Sequence, residues 1–315
     1  MRAPARELHG ARTAAVVVTA AGLLGLFAGG CATPESQRAA EAAGAEARPS
    51  AEVLRDPIWD DGRAEFSVYD GITRLEGRER AFTARVIVVK EDFVRDLLVK
   101  SDAGPVAGKT FEVLKLNYLR DVPTGMYDFH QMASVFFERT TFRAVKYAAS
   151  SMESCGLTFV VAKPEDGRLA HVSHSYWDAE GDRTQTIEWS QNAVFYDGLP
   201  LWLRGFDLAE PARREMQVLP TQLQSRVGTP AVEAATLQFE GADETRGGRY
   251  AVRMTHGRGE DRLWFEPEAP HVLWRWEKAN GTVLELRRTQ RVPYWERTAP
   301  EDAALVGEPR EVRLP

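Results

Sequence analysis

The chain has 315 residues, of which 43% are hydrophobic and 27% charged, and its formal net charge is −6 at pH 7. A chain of this length and composition can bury a substantial core, as one large domain or two modest ones. The charges are spread along the sequence, and no basic cluster predicts a nucleic-acid partner. Only two cysteines are present, which excludes a small domain held together by several disulfides.

The first 30 residues have the pattern of a secretion signal. Three arginines lie within the first twelve positions, an apolar run follows over 14–27, and residues 28–30 are small side chains directly before Cys31. This order is typical of a lipoprotein signal peptide, in which the cysteine becomes the lipid-modified first residue of the mature chain. The apolar run is shorter than the roughly 20 residues that a membrane-spanning helix needs.

Lipidation of Cys31 predicts a protein of the cell envelope. An acyl chain such as palmitate would anchor it to the membrane, which is therefore its expected partner. Ala32 follows the cysteine, and no acidic residue comes directly after it. This favours the periplasmic side of the outer membrane over the inner membrane. Cys155 is then left without an intrachain disulfide partner, so stability must come from packing.

Composition divides the rest of the chain into three parts. Residues 31–56 are rich in Ala, Glu, Arg and Ser, and they carry too few large apolar side chains to offset the entropy of ordering. We predict a flexible tether there. Residues 57–297 form the expected β-rich domain. Residues 298–315 contain three prolines and no core-forming run, which indicates a loosely ordered tail.

The central part has the pattern of a long antiparallel β-meander. Short runs of β-branched and aromatic residues are bounded by turn formers, at positions 63–75, 81–90, 111–119, 133–137, 158–162, 171–177, 184–189, 215–227, 235–240, 249–256 and 262–265. One helical interruption is expected over 197–206, where Pro200 suits a first turn. Mainly β structure, as a barrel, half-barrel or sandwich with one or two short helices, is therefore predicted.

The clearest hairpin signal is Asn280-Gly281 between two runs rich in tryptophan, valine and leucine. A two-residue type I′ turn at these positions would place Trp276 opposite Glu285. The turn also explains the sequon 280–282 better than glycosylation does. We expect this hairpin to close the sheet.

Few residues indicate catalysis. Cys155 is followed by a glycine, and His171, His174 and the turn 180–182 lie about one strand later. A nucleophilic thiol needs a base and an oxyanion site, and the sequence offers only these two histidines as a base. A metal-binding pair of the two histidines is not expected, because residues three apart on a strand point to opposite faces. We favour a half-buried structural Cys155. No metal or cofactor is predicted.

Several segments together carry a family resemblance: 114–118, 124–127, 132–134, Phe136, 150–151, 155–158 and 175–182. On these segments the chain resembles an uncharacterised family of bacterial envelope proteins whose members often carry the label "septum formation inhibitor Maf". True Maf proteins are cytoplasmic α/β nucleotide pyrophosphatases with a Ser/Pro/Arg-rich N-terminal motif. The secretion signal, the β pattern and the lack of that motif argue against this activity. The resemblance implies no catalytic residues.

Two classes of function therefore remain. The first is a non-catalytic envelope lipoprotein that binds an apolar or amphipathic ligand or an envelope protein partner, since antiparallel barrels and half-barrels enclose such ligands and Trp177, Trp189 or Trp276 could line a cavity. The alternative is a hydrolase or transferase. The candidate functional surface is the same for both and comprises Cys155, His171, His174, Trp177, Glu180 and Asp182.

Overall fold

The computed structural model describes residues 45–307 and residue 312. The predicted signal peptide and Cys31 lie outside these residues. Within them the chain forms 17 strands, two short α-helices and six 3-10 helices. The fold is mainly β and antiparallel, which confirms the predicted fold class.

The strands are β1 (Ala45–Glu46), β2 (Ala64–Leu75), β3 (Arg78–Val94), β4 (Val99–Lys100), β5 (Thr110–Pro123), β6 (Asp128–Glu138), β7 (Ala144–Glu153), β8 (Gly156–Glu165), β9 (Arg168–Ser175), β10 (Arg183–Glu188), β11 (Ala193–Phe195), β12 (Ala212–Leu219), β13 (Glu233–Asp243), β14 (Arg249–His256), β15 (Gly259–Phe265), β16 (Leu273–Glu277) and β17 (Val283–Val292). The α-helices are α1 (Glu52–Arg55) and α2 (Leu199–Trp202). The 3-10 helices are Pro57–Asp60, Tyr196–Gly198, Leu203–Gly205, Glu244–Arg246, Tyr294–Glu296 and Pro300–Leu305.

These strands form one open sheet. Its order runs from β12 through β17, then through β2, β3, β5, β6, β7, β8 and β9 to β10. The short strands β1 and β11 both pair with β12 in parallel, and β4 pairs with the end of β3. Because β17 pairs with β2, the first and last long strands of the chain lie side by side in the middle of the sheet.

The connection between the two edges of the sheet runs through the interior. Residues 196–205, which we call the central plug, follow β10 and β11 and lead toward β12, and all ten are buried. Leu199, Leu201 and Leu203 are completely inaccessible to solvent. A Cβ at Gly198 would lie 2.9 Å from the ring of Phe137, so the plug packs directly on β6.

A buried ion pair fixes the central plug to β2. Two nitrogens of the Arg204 guanidinium donate to the two carboxylate oxygens of Glu65, each at 2.9 Å, and Nε donates to the Pro200 carbonyl at 2.8 Å. The side chains of Arg204 and Glu65 are 0% and 2% exposed. Such a bidentate pair satisfies both charges, and it lets a cation and an anion be buried together.

The main hydrophobic cluster lies on the inner side of the sheet and includes the plug. Two smaller clusters lie elsewhere on the strands. One of them contains Phe66, Ile87 and Val292, and Tyr294 and Val306 from the C-terminal region pack against it. The other is built around Phe93, Val113 and Phe136. Several strands therefore carry apolar side chains on both faces.

Residues 45–56, the last part of the predicted flexible tether, pack on the β-rich domain, so this part of the prediction is wrong. Residues 45–46 form β1 on the edge of β12, and Ala47 and Leu54 are 1% and 0% exposed. Trp59 adds a hydrogen bond from its indole Nε1 to the Val53 carbonyl at 2.7 Å. Although this stretch has few large apolar residues, its alanines and Leu54 pack because the β12 edge and the plug are already in place.

The predicted loosely ordered tail, 298–315, also differs from the structure over its described part. Residues 300–305 form a 3-10 helix, Val306 packs on the cluster around Phe66, and Arg287 donates to the Val306 carbonyl. Val312 is 7% exposed. The apolar face of β2 and β3 supplies the surface that the tail composition alone does not reveal.

The Trp hairpin forms, but with a different register from the predicted one. Trp276 lies opposite Leu284, and Glu285 lies opposite Arg275. Gly281 has a φ of +79°, whereas Asn280 has no positive φ, so the turn is not type I′. The hydrogen bonds of Lys278 and Gly281 instead define a three-residue loop with a glycine bulge, which shifts the ladder by one residue.

Candidate ligand-binding cavity

Alternate hairpins of the meander place their turns at the same end of the sheet, which we call the mouth. The turns of β2–β3, β5–β6, β7–β8, β14–β15 and β16–β17 all contribute to one cavity there, with a volume of about 710 Å³. Ligand pockets for drug-sized molecules range from about 300 to 1,000 Å³. The cavity is therefore large enough for a small organic ligand.

One wall of the cavity is the segment 220–228, which we call the strap. The sequence pattern predicted a strand over 215–227, but β12 ends at Leu219 because Pro220 has no N–H to continue the ladder. The strap is instead held by side chains of the sheet. Thr158 donates to the Ser225 carbonyl at 2.5 Å, and Arg120 donates to the Leu223 carbonyl at 3.2 Å.

A fully buried carboxylate supports the cavity from below. Asp261 accepts hydrogen bonds from the Tyr196 hydroxyl, from the Trp276 indole at 2.9 Å and from the Ala279 backbone N–H at 2.8 Å, and it contacts His256 at 3.3 Å. Burial alone would raise the pKa of Asp261, but these hydrogen bonds outweigh burial and hold the pKa below its usual value. The group is therefore a charged, fully partnered anchor.

Lys278 extends over this anchor and lines the cavity. Its Nζ lies 3.8 Å from the centre of the Trp276 ring, 4.9 Å from that of Tyr118 and 5.2 Å from that of Tyr196. Cation–π contacts of this kind stabilise an ammonium group without neutralising it. Among the described residues, no carboxylate forms an ion pair with Lys278 and no oxygen accepts a hydrogen bond from its Nζ.

Two further polar groups line the same cavity. Tyr118 is 2% exposed, and its hydroxyl has no hydrogen-bond partner in the described part of the chain. Arg120 is held by neutral groups, since its Nε donates to the Gln131 side-chain carbonyl at 2.5 Å. In the described part of the chain, neither side chain forms an ion pair.

The rim of the cavity combines charge and apolar surface. Arg226 stacks over Trp177 with its Cζ 4.0 Å from the ring centre. Cationic side chains outnumber carboxylates in the lining, which contains Arg74, Arg120, Arg226, Arg258 and Lys278 against Glu76 and Glu153. Aliphatic and aromatic side chains form much of the remaining wall, including Leu75, Val122, Phe129, Val218 and Leu223. The lining is therefore apolar with a positive bias.

The structure separates the residues that the sequence grouped as a candidate surface. Cys155 and Trp177 line the cavity, whereas His171 is fully buried behind the strap, with its Nε2 3.3 Å from the Gln222 side-chain oxygen. Burial lowers the pKa of His171. His174 lies on the opposite face of β9, as predicted, and is exposed.

The acidic members of that candidate surface have structural contacts. Oδ1 of Asp182 lies 3.2 Å from Nδ1 of His174. Glu180 accepts hydrogen bonds from the Ser175 hydroxyl at 2.8 Å and from the backbone N–H groups of Val227 and Gly228 at 3.2 and 3.3 Å. Glu180 therefore fixes one end of the strap.

The expected half-buried packing of Cys155 is wrong, because the residue is exposed in the β7–β8 turn. In the described part of the chain its thiol has no hydrogen bond to a histidine or to any other base. The geometry thus provides no nucleophile–base pair around Cys155.

The sequence analysis did not identify Tyr118, His256 or Lys278 as site residues. Lys278 directly follows a strand and lies two residues before Asn280, so its position near the turn was the one available signal. Over residues 45–307, no group of three or more His, Cys, Asp or Glu side chains is arranged to hold a metal ion. None of the helices in the same region has the length and apolar character required to cross a membrane.

Comparison with known proteins gives a distant structural likeness. No protein-family model matches the chain, and no curated protein matches it. A beta-barrel-like protein of a domain of unknown function, DUF1849, from Brucella abortus is similar to 73% of this chain over 97% of its own length, with 10% identity and a TM-score of 0.42. The fold and the cavity define a mainly β protein with an amphipathic cavity at one end of an open sheet.

Proposed function

We propose that the protein is a lipid-anchored envelope protein that binds an apolar or amphipathic small molecule in the cavity at the mouth. The observation that carries this proposal is the cavity of about 710 Å³, with its aliphatic and aromatic walls and a few polar groups. Ligand sites commonly have this composition, in which the apolar lining provides affinity and the polar groups provide orientation.

The contacts around Cys155 favour binding over catalysis. The cavity contains one thiol, but among the described residues no histidine lies within hydrogen-bond distance of it. The buried carboxylate Asp261 is fully hydrogen-bonded, and no second acid is paired with it as a general acid and base would be. A non-catalytic role requires none of these groups to react.

The proposed location depends on the N-terminal sequence. A signal peptide over 1–30 and a lipid-modified Cys31 would tether the domain to the envelope membrane, on the periplasmic side of the outer membrane. Replacing Cys31 with Ser should abolish acyl labelling and release a soluble form; unchanged processing and membrane association of the variant would contradict the anchor.

The binding proposal can be tested by filling the cavity. Gln224 lines the cavity, is half-buried and makes no side-chain hydrogen bond within the described region. Gln224→Trp should therefore occupy the cavity without removing a structural contact. A neutral fluorescent probe for apolar sites, N-phenyl-1-naphthylamine, should bind the parent domain saturably, and the variant should bind it at least about tenfold more weakly.

A matched control is Gln185→Trp on β10, because Gln185 is also half-buried but does not line the cavity. This control should bind the probe like the parent. Equal probe binding by the parent and Gln224→Trp, with both proteins folded by circular dichroism, would show that the cavity is not the binding site.

A further inference from the structure

We infer that Lys278 and Tyr118 form a subsite for an anionic head group, and that the ligand is a long apolar chain that ends in a carboxylate or a phosphate. This inference rests on the proposed binding function and specifies the chemistry of its ligand. The head group would sit over the floor of the cavity, and the apolar chain would lie against the aliphatic wall toward the rim.

The ammonium group of Lys278 is available to a ligand. Three aromatic rings hold its ammonium group, with Trp276 only 3.8 Å from Nζ, and within residues 45–307 no carboxylate pairs with it. The buried carboxylate beneath it, Asp261, already accepts hydrogen bonds from Tyr196, Trp276 and the Ala279 backbone. The ammonium is thus held at a fixed place with its N–H donors unused, and an oxyanion is the ligand group that pairs with such donors most strongly.

The hydroxyl group of Tyr118 provides an observation that does not depend on the charge of Lys278. Its side chain lines the cavity and is 2% exposed, yet its hydroxyl lacks a hydrogen-bond partner. Buried polar groups in folded proteins are nearly always hydrogen-bonded, and an unpaired one costs free energy. A head-group oxygen next to Lys278 would give this hydroxyl an acceptor, because the Tyr118 ring itself lies against the ammonium.

Other charged side chains of the cavity lining also affect which ligand can bind. Arg120 lines the same cavity, and its guanidinium is held by the Gln131 side chain and the Leu223 carbonyl, both neutral. Its positive charge therefore adds to that of Lys278. The two carboxylates of the lining, Glu76 and Glu153, come from the β2–β3 and β7–β8 turns at the mouth. Among the lining side chains, positive charges therefore exceed negative charges, which favours an anionic ligand.

The experiment compares ligands with the same chain and different head groups. Palmitate carries a carboxylate, palmitoyl lysophosphatidic acid a phosphate, and 1-hexadecanol a neutral hydroxyl. The affinity of each ligand is measured by its displacement of N-phenyl-1-naphthylamine from the parent protein, from Lys278→Met and from Tyr118→Phe. The control is Lys146→Met, since Lys146 also lies over an aromatic ring, that of Phe136 at 5.8 Å, but outside the cavity.

Lys278→Met should weaken binding of at least one anionic ligand by about tenfold or more, and should change hexadecanol binding by less than about threefold. Tyr118→Phe should weaken the same anion by about fivefold, and Lys146→Met should have no effect. The preferred anion, carboxylate or phosphate, identifies the head group.

The head-group subsite would be contradicted if Lys278→Met weakened binding of charged and neutral ligands equally, or if it changed neither. In both cases, binding of hexadecanol to the parent protein would still support the proposed function of the cavity. Failure of all three ligands and the probe to bind the parent protein would overturn both proposals.

Discussion

The interior of the sheet has two ends that use polar residues in opposite ways. At the end filled by the central plug, Arg204 and Glu65 neutralise each other completely. At the mouth, Lys278 has no carboxylate partner in the described chain, and the Tyr118 hydroxyl has no acceptor. The same sheet therefore contains one region in which a buried cation and a buried anion are paired with each other, and another in which a cation and a hydroxyl group are left available.

This difference separates stability from binding. A polar group without a hydrogen-bond or ion-pair partner adds little to stability, so such a group persists where another role maintains it. Substitutions at the plug should accordingly lower stability, whereas substitutions at the mouth should leave stability nearly unchanged and alter only what the cavity binds. The predictions below test this division, from the largest expected effect to the smallest.

The plug should respond most strongly to loss of one charge. Arg204→Met leaves the Glu65 carboxylate buried without its cation, and the free energy of unfolding should fall by about 3–5 kcal/mol. Urea denaturation followed by tryptophan fluorescence measures this quantity. Lys278→Met removes a cation from the mouth together with its cation–π contacts, and it should lower the free energy of unfolding by no more than about 1 kcal/mol.

Two controls sharpen this prediction. Arg213→Met removes an exposed ion pair with Glu215 and should cost less than about 1 kcal/mol. The double variant Arg204→Met with Glu65→Leu should recover most of the lost stability, because no buried charge remains unpaired. A small effect of the single Arg204 variant would mean that the plug does not depend on this pair.

The hairpin that carries Lys278 should depend on the conformation of Gly281. Its φ is +79°, and no atom lies within 4 Å of the position that a Cβ would take. Gly281→Val should therefore destabilise the domain by roughly 1–2 kcal/mol through backbone strain alone. Gly281→Asn should cost less, because asparagine adopts positive φ more readily. Equal melting temperatures for the valine variant and the parent would contradict this account of the turn.

The two histidines of β9 should differ in their effect on pH-dependent stability. Burial lowers the pKa of His171 from its usual 6.5. As the pH falls through 6.5, the unfolded chain binds a proton that the folded chain does not, so stability decreases until the lower folded pKa is passed. The slope cannot exceed about 1.4 kcal/mol per pH unit for one proton. His171→Gln should flatten the curve between pH 7.5 and 5.5.

His174→Gln is the matched control, because this side chain is exposed on the other face of the same strand. It should retain the slope of the parent. Urea titrations at three pH values distinguish the two variants, and an unchanged slope in His171→Gln would show that another group causes the acid sensitivity.

The smallest effect on stability is expected at Cys155. The residue is exposed at the cavity rim, so Cys155→Ser should change the free energy of unfolding by less than about 0.5 kcal/mol. Its position provides a sensitive readout of occupancy instead. Labelling of Cys155 by a bulky maleimide should slow when a ligand fills the cavity, and a labelling rate that is independent of ligand would place the ligand elsewhere.

Much of the fold could be predicted because alternation and turn residues are local signals. Eleven predicted strand-like runs and the two runs of the Trp hairpin overlap observed strands, but β7 and the short strands β1, β4 and β11 were not predicted. Residues 144–153 of β7 are mainly Ala and Ser with few β-branched side chains, and the strand forms because β6 and β8 pair with it on both sides. The hairpin register was wrong by one residue because a glycine with positive φ suits both turn types.

The cavity could not be predicted in the same way. Tyr118, His256 and Lys278 come from three strands or turns that are separated by many residues in sequence, and each one alone resembles an ordinary core or surface residue. They meet because alternate hairpins end at the mouth and because the chain crosses the interior between β10 and β12. Local patterns contain no information on that crossing, and the strap was mistaken for the continuation of a strand.

The pairing of β17 with β2 has a consequence for the order in which the chain can fold. Ser67 and Thr289 are 222 positions apart, and their hydroxyl groups are hydrogen-bonded at 2.8 Å. During synthesis, β2 would leave one edge unpaired until almost the whole chain had emerged, and unpaired edges promote aggregation. Contacts this distant in sequence also slow folding. A chaperone that covers the β2 edge would therefore shorten the period in which the newly made chain is vulnerable.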